Sequence, residues 1–188
     1  KIAGHYNLEF KETLTGFKWL AKIENLTFGY EEALGYAVDS ITVNDKDGIS
    51  AAITLAQIAT DLAAEGKSVL DLLDEVWARH GFHATEQISI RLSDLSKVGV
   101  ILGGLRSNPP KQIAGRSVTS IDDLASPTDG LPPTDGIRIW LDGGVRIIIR
   151  PSGTEAKMKC YIEAIEKDSA AAQVVLDQLR PPLKELLS

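Results

Sequence analysis

A short polar segment, RPSGTEAKMKCY, carries groups that suit phosphate binding, and it directly follows an apolar run that predicts a β-strand. Arg150 opens the segment with a planar guanidinium whose N–H groups match phosphate oxygens. Ser152 and Thr154 add hydroxyls, and Gly153 allows backbone N–H groups to approach an anion closely. Taken alone, Pro-Ser-Gly after a strand also suits an ordinary turn. Residue types and spacing therefore leave an anion site and a plain turn both open.

The whole segment resembles the phosphate-binding loop of the α-D-phosphohexomutase superfamily, whose phosphoglucomutases and phosphomannomutases carry RPSGTEPK followed by a basic residue and a strand. Ala156 stands where that motif has proline, and Lys159 stands where the family often has arginine. Lysine keeps the charge but lacks the bidentate fork of arginine. The resemblance implies a loop that grips the non-reacting phosphate of a sugar phosphate, through Arg150, Ser152, Gly153, Thr154 and Lys159.

Two stretches near the other end of the chain resemble the third domain of the same family. TLTGFKWL places Lys18 in a TGxK context, which implies a lysine that faces the reacting end of the sugar. Without the resemblance, Lys18 would be interpreted as a solvated helix lysine. FGYEEALGY resembles a GEES-like loop that binds sugar hydroxyls, which implies this role for Glu31, with Glu32 beside it in the same sugar-binding loop. A carboxylate suits that role because it accepts two hydrogen bonds from a vicinal diol.

The acidic loop departs from the family pattern at two positions. Tyr30 replaces its first glycine, and Ala33 replaces its serine, so one hydroxyl ligand is missing. The EEA variant resembles the branch that includes phosphopentomutases and glucose-1,6-bisphosphate-linked mutases. The preferred sugar therefore stays open among glucose, mannose and pentose phosphates.

Two motifs that the family reaction needs are missing from the sequence. A TASHNP-like segment would carry the phosphorylated serine, and a DGDxDR-like loop would hold magnesium; neither occurs. The acidic cluster at 45–47 and the pair Asp122 and Asp123 lack the alternating spacing of a metal loop and are interpreted as solvated turns. His80 and His83 have no further ligand at suitable spacing, so we predict a surface position for them and no metal site in this chain.

In the family, the missing motifs belong to the first two domains of a four-domain enzyme. The resemblance thus implies the C-terminal part of an intramolecular phosphotransferase of the isomerase class, a phosphoprotein of carbohydrate metabolism. The whole enzyme would interconvert hexose 1-phosphate and hexose 6-phosphate through a bisphosphorylated intermediate. It would use Mg²⁺, whose ligands lie outside this chain, and a glucose 1,6-bisphosphate-type activator. The fragment alone is expected to be inactive. The alternatives are a phosphopentomutase-type enzyme and a freestanding, non-catalytic sugar-phosphate binding module.

The composition of the chain limits which classes of partner it can bind. The chain has 188 residues with 20 Lys plus Arg against 26 Asp plus Glu, and the net charge of −6 argues against sequence-independent nucleic-acid binding. No apolar stretch reaches the roughly 20 residues of a membrane span. Cys160 is the single cysteine, so no internal disulfide is possible and a reducing cytoplasm is the simplest setting. The expected partners are a small-molecule sugar phosphate and the N-terminal domains of the same enzyme.

The order of elements predicts two domains. Residues 1–82 are expected to be the C-terminal part of domain 3, the α/β tail of a three-layer domain, with a short helix over 16–24 and a strand over 26–31. A helix over 49–64 is apolar on almost every side and is predicted to be buried. Residues 83–188 are expected to form domain 4, an α+β domain with an antiparallel sheet packed on helices, which the resemblance describes as TBP-like.

The second half contains an alternating pattern that predicts a meander. Strands are expected at 137–141 and 145–149, with a tight turn between them, and the next strand places Lys159 on the face of the phosphate loop. An extended segment is expected at 113–118 and a structureless loop at 126–136. A final helix is predicted from Asp168 or Ser169 to about Leu179, where Pro181 and Pro182 would end it.

Overall fold

The chain consists of two units, Lys1–Val76 (unit one) and Trp77–Ser188 (unit two). The computed structural model describes residues 1–31, 34–94, 96–128, 130–152 and 155–187. No helix in these ranges is both long and apolar enough to cross a membrane.

Unit one combines short helices with a small hairpin and one long helix. Asp47 caps the long helix, because its carboxylate accepts hydrogen bonds from the backbone N–H groups of Ile49 and Ser50 at 3.0 and 3.2 Å. The last helix contains the division between the units. The elements are α1 (Ile2–His5), α2 (Phe17–Leu20), β1 (Gly29–Glu31), β2 (Gly35–Ala37), α3 (Gly48–Ala64) and α4 (Val69–His80).

The helix predicted over 16–24 is shorter in the structure, and so is the strand predicted over 26–31. After Leu20 the backbone makes tighter bonds, since the N–H groups of Lys22 and Ile23 donate three residues back, to the carbonyls of Trp19 and Leu20. Asn25 then takes a left-handed conformation with φ 57°, which a helix cannot accommodate. These local turns end α2 early and delay β1 to Gly29.

Helix α3 is present as predicted, but the prediction that it is buried is wrong. No residue of α3 is buried, and Ile49 and Ile53 are 76% and 66% exposed. Apolar periodicity reports which residues prefer to leave water, whereas burial also needs elements that cover them. Among the described parts of unit one, β2 packs against α3, and this short strand leaves most of the helix surface uncovered.

Unit two is an antiparallel sheet with helices on one face, as predicted. Six strands lie in the order β3-β8-β7-β6-β5-β4, and all described pairs are antiparallel. The core lies between the sheet and the helices α5 and α6. The elements are β3 (Phe82–Arg91), α5 (Ser96–Ser107), β4 (Gln112–Ile113), β5 (Arg116–Asp123), β6 (Ile137–Leu141), β7 (Val145–Pro151), β8 (Lys157–Glu166) and α6 (Ser169–Leu186).

Alternation along the central strands decides which face of the sheet is covered. In β8, Met158, Cys160, Ile162 and Ala164 are almost fully buried on the helix side, and the residues between them lie on the other face. Burial raises the pKa of the Cys160 thiol to about 12, so the reactive thiolate is scarce near neutral pH. The face away from the core is called the open face below.

The meander is confirmed, with one extension and one correction. Strand β7 runs two residues past its predicted end and includes Arg150 and Pro151. The segment predicted as extended over 113–118 is a tight hairpin, because Ala114 and Gly115 both have positive φ, 51° and 76°. In the described parts of 126–136 there is no helix or strand, as predicted. Arg106 ties this loop to α5 through an ion pair with Asp135 at 2.8 Å.

The predicted end of the last helix at Leu179 is wrong. Helix α6 starts at the Asp168 cap, whose carboxylate accepts from Ala171 N–H at 2.8 Å, and continues through both prolines to Leu186. Prolines inside a helix remove backbone donors and normally end it. Here Leu179, Leu183 and Leu187 are fully buried at four-residue spacing. Burial of this stripe against the sheet offsets the lost hydrogen bonds, since each buried leucine contributes about 1.5–3 kcal/mol.

Candidate functional site

Arg150 and Lys159 lie opposite each other on neighbouring strands. The register of β7 and β8 pairs Arg150 with Lys159, so the two side chains share the open face of the sheet. Both residues are partly buried. Lys159 therefore shares a face with Arg150, as predicted, and the chain places two cations side by side at the end of β7.

Tyr161 holds the guanidinium of Arg150. The Arg150 Nη2 donates to the Tyr161 hydroxyl at 2.8 Å, and the guanidinium lies 5.2 Å from the centre of the tyrosine ring. Both contacts are made by a neutral group, so they fix the position of the guanidinium without neutralising it. This role of Tyr161 could not be predicted from the sequence, because it depends on the register between β7 and β8.

Ser152 and Lys157 close the base of the loop. The backbone N–H of Ser152 donates to the Lys157 carbonyl at 2.8 Å, and Lys157 N–H donates to the Glu155 carbonyl at 2.8 Å. The Lys157 ammonium also binds the Glu155 carboxylate at 2.8 Å, and this hydrogen bond lowers the pKa of Glu155. Glu155 thus offsets the charge of Lys157. Gly153 and Thr154, also predicted as phosphate-binding, lie outside the described residues.

In unit one, Lys18 and Glu31 belong to elements that pack together. Phe17, the neighbour of Lys18 in α2, is buried against Gly35 of β2, directly opposite Glu31 in the hairpin. A β-carbon on Gly35 would contact the Phe17 ring and would lie 2.7 Å from Glu31 Cγ. Only glycine leaves room here for the close approach of α2 to the hairpin.

The two predicted side chains of unit one differ in exposure. Lys18 is exposed, with its ammonium 5.5 Å from the Trp19 ring centre. The Glu31 side chain is only 13% exposed, and its carboxylate lies 3.5 Å from the Lys46 ammonium. Glu32, also predicted to bind sugar, lies outside the described residues. The structure thus groups Lys18 with Glu31 in unit one, and Arg150, Ser152 and Lys159 in unit two.

Two family models match consecutive parts of the chain. The first, described as phosphoglucomutase/phosphomannomutase alpha/beta/alpha domain III, matches residues 1–80. The second, described as the phosphoglucomutase/phosphomannomutase C-terminal domain, matches residues 99–179. The chain belongs to the phosphoglucomutase/phosphomannomutase family. The resemblance drawn from RPSGTEAK and FGYEEALGY is confirmed at this level.

Relatives in the family are longer than this chain. A protein named probable phosphomannomutase from Haemophilus influenzae is 44% identical over 187 residues, which are 100% of this chain and 38% of that protein. A phosphoglucomutase from Staphylococcus aureus is 34% identical over 182 residues, 86% of this chain and 33% of that protein. The chain therefore spans about a third of the length of these phosphomutase relatives.

A solved structure shares the fold. Parafusin, a phosphoglucomutase from Paramecium crystallised in an open form, superposes with a TM-score of 0.73 at 22% identity, covering 98% of this chain and 35% of that one. This likeness supports the α/β and α+β architecture of the family member described here.

Gly136, the residue before β6, lies against the end of β7 in this phosphomutase-family chain. A β-carbon there would lie 2.9 Å from the Ile149 carbonyl oxygen and 3.2 Å from Arg150 Cβ. We expect Gly136→Ala to displace the end of β7, lower the free energy of unfolding by about 1–3 kcal/mol and weaken phosphate binding. Urea unfolding and calorimetric titration with glucose 1-phosphate measure the two effects.

The matched control is Gly104→Ala in α5, where an added β-carbon has nothing within 4 Å. This change is expected to stabilise the helix by up to about 1 kcal/mol and to leave binding unchanged. If Gly136→Ala behaved like Gly104→Ala in both measurements, the role of Gly136 would be wrong.

Proposed function

We propose that the chain is the C-terminal part of a phosphomutase that interconverts hexose 1-phosphate and hexose 6-phosphate through a bisphosphorylated sugar. The observation that supports this most strongly is the pairing of Arg150 with Lys159 at the entrance of the RPSGTEAK loop. We propose domain 3 within residues 1–82 and domain 4 within 83–188.

The loop would hold the phosphate that is not being transferred. The Arg150 guanidinium, fixed by Tyr161, would donate to two phosphate oxygens, and Lys159 would add a second charge beside it. Ser152 would contribute a hydroxyl, and Gly153 and Thr154 would complete the loop as the family resemblance implies. Because the intermediate must turn round between the two transfers, one loop would bind either phosphate.

The acidic loop and Lys18 would act on the sugar. The Glu31 side chain is mostly covered, with 13% exposed, and its carboxylate lies 3.5 Å from the Lys46 ammonium, so the lone pairs that Lys46 does not use would accept from a sugar diol. Glu32 would bind in the same loop. Lys18 would stand at the reacting end, where an exposed ammonium moves a proton or offsets phosphate charge.

The phosphoserine and magnesium would come from N-terminal domains of the same enzyme. Within the part of the chain that the structure describes, no three His, Cys, Asp or Glu side chains are close enough to hold a metal ion. The described residues therefore do not fit magnesium. We also propose a glucose 1,6-bisphosphate-type activator and, from the lone cysteine, a cytoplasmic setting.

A chimera tests the proposal. The matched segment of the Haemophilus influenzae relative is replaced by this chain, and turnover is measured with glucose 1-phosphate, mannose 1-phosphate and ribose 1-phosphate. We expect the chimera to turn over a hexose phosphate and the Arg150→Ala chimera to lose this activity. The chain alone should be inactive. Turnover of ribose 1-phosphate alone would favour a phosphopentomutase. If the chimera folded but turned over none of the three substrates, while the chain alone still bound a sugar phosphate, a binding module would be favoured.

A further inference from the structure

Arg91 ends strand β3 beside the phosphate loop. The register pairs Arg91 with Lys157, and Ser89 with Lys159, so all four side chains share the open face with Arg150. Beyond Arg91, the backbone N–H of the next residue donates to the Ala156 carbonyl at 2.9 Å. The end of β3 is therefore bonded directly to the loop.

Cations elsewhere on the open face are paired with acids. Arg138 binds Asp122 at 2.8 Å, and Arg146 binds Glu163 at 2.9 Å. These arginines lie in strands β6 and β7, and their charges are compensated within the sheet. A structural arginine on this face is therefore paired with a carboxylate.

Arg91 and Lys159 are not paired with acids in this way. In the described ranges of the chain, neither side chain forms a hydrogen bond or an ion pair, and Arg91 is exposed. Glu155 is the nearby acid whose pKa both cations lower, but it already binds Lys157. Among the described residues, four cations, Arg91, Arg150, Lys157 and Lys159, thus lie at the loop, and the Glu155 carboxylate is bound to Lys157.

We propose that Arg91 is a phosphate-binding residue that reaches the loop from the neighbouring strand. Strands β7 and β3 flank β8 and lie about 10 Å apart, at about 4.8 Å per strand. Arg91 lies two residues further along β8 than Arg150, opposite Lys157 rather than Lys159, so a phosphate held over Lys159 would accept from Arg150 on one side and from Arg91 on the other. This assignment rests on the proposed function of the loop and adds a residue outside its motif.

The test compares Arg91→Gln with Lys167→Gln, a loss of charge at an 83% exposed position in the same unit. Calorimetric titrations use inorganic phosphate and glucose 6-phosphate, with Arg150→Ala as reference. We expect Arg91→Gln to lower the affinity for both ligands about 10-fold. Arg91→Lys should recover part of that affinity, and Lys167→Gln should bind both ligands as tightly as the parent.

If Arg91→Gln bound both ligands as tightly as the parent while Arg150→Ala lost affinity, the assignment of Arg91 would be overturned. The proposed function of the loop would then remain intact. If Arg150→Ala also bound like the parent, or the parent bound neither ligand, the proposed function would fall together with that assignment.

Discussion

Replacing Arg150 with alanine is expected to weaken glucose 1-phosphate binding by about 10- to 100-fold. The guanidinium is partly buried, is aimed by the Tyr161 hydroxyl at 2.8 Å, and has no carboxylate partner among the described residues. Its charge-assisted hydrogen bonds are thus free for a phosphate. Isothermal titration calorimetry on the chain measures the change.

Two variants make this result specific. Tyr161→Phe keeps the ring under the guanidinium but removes the hydroxyl, so we expect a smaller loss of affinity, several-fold, with the Arg150 charge intact. Lys167→Ala removes a distant exposed charge and should change nothing. Equal affinity in Arg150→Ala and the parent would show that the loop is an ordinary turn.

Replacing Leu183 with alanine is expected to lower the free energy of unfolding of unit two by about 2–5 kcal/mol. Leu183 is fully buried one residue after Pro182, so the change leaves a cavity beneath the sheet at the point where the helix has already lost backbone donors. Urea unfolding followed by circular dichroism measures the loss.

Val174→Ala in the same helix is the matched control. Val174 is 55% exposed, and its substitution should alter stability by less than about 0.5 kcal/mol. A similar small effect for both variants would contradict the packing of α6 beyond its prolines.

Local patterns predicted much of the fold of unit two. Alternation in β6, β7 and β8 was visible in the sequence because each strand buries one face and leaves the other open. The end of α6 was mispredicted because proline acts locally, whereas the buried stripe around Leu183 stabilises the helix through tertiary contacts. The prediction that α3 is buried failed for the converse reason, because the apolar periodicity of the helix contains no information about which elements cover it.

The candidate site was predictable only where the sequence motif reached. Arg150, Ser152 and Lys159 were identified from a contiguous string, and the register then placed Lys159 opposite Arg150. Tyr161 ends the same string, but its contact with Arg150 depends on the register of β7 and β8. Gly136 and Arg91 lie outside the string, and their positions depend on strand pairing between separate segments. Residues that share only a face of the sheet have no common motif in the sequence.

The central claim is that the loop entered at Arg150 is an anion site. The most direct measurement is a two-dimensional ¹H–¹⁵N NMR titration of the chain with glucose 1-phosphate. Amide shifts should change progressively at Arg150, Ser152, Lys157 and Lys159, and remain fixed along α6, which lies on the opposite face of the sheet. Shift changes confined to other elements, or none at the loop with saturating ligand, would contradict it.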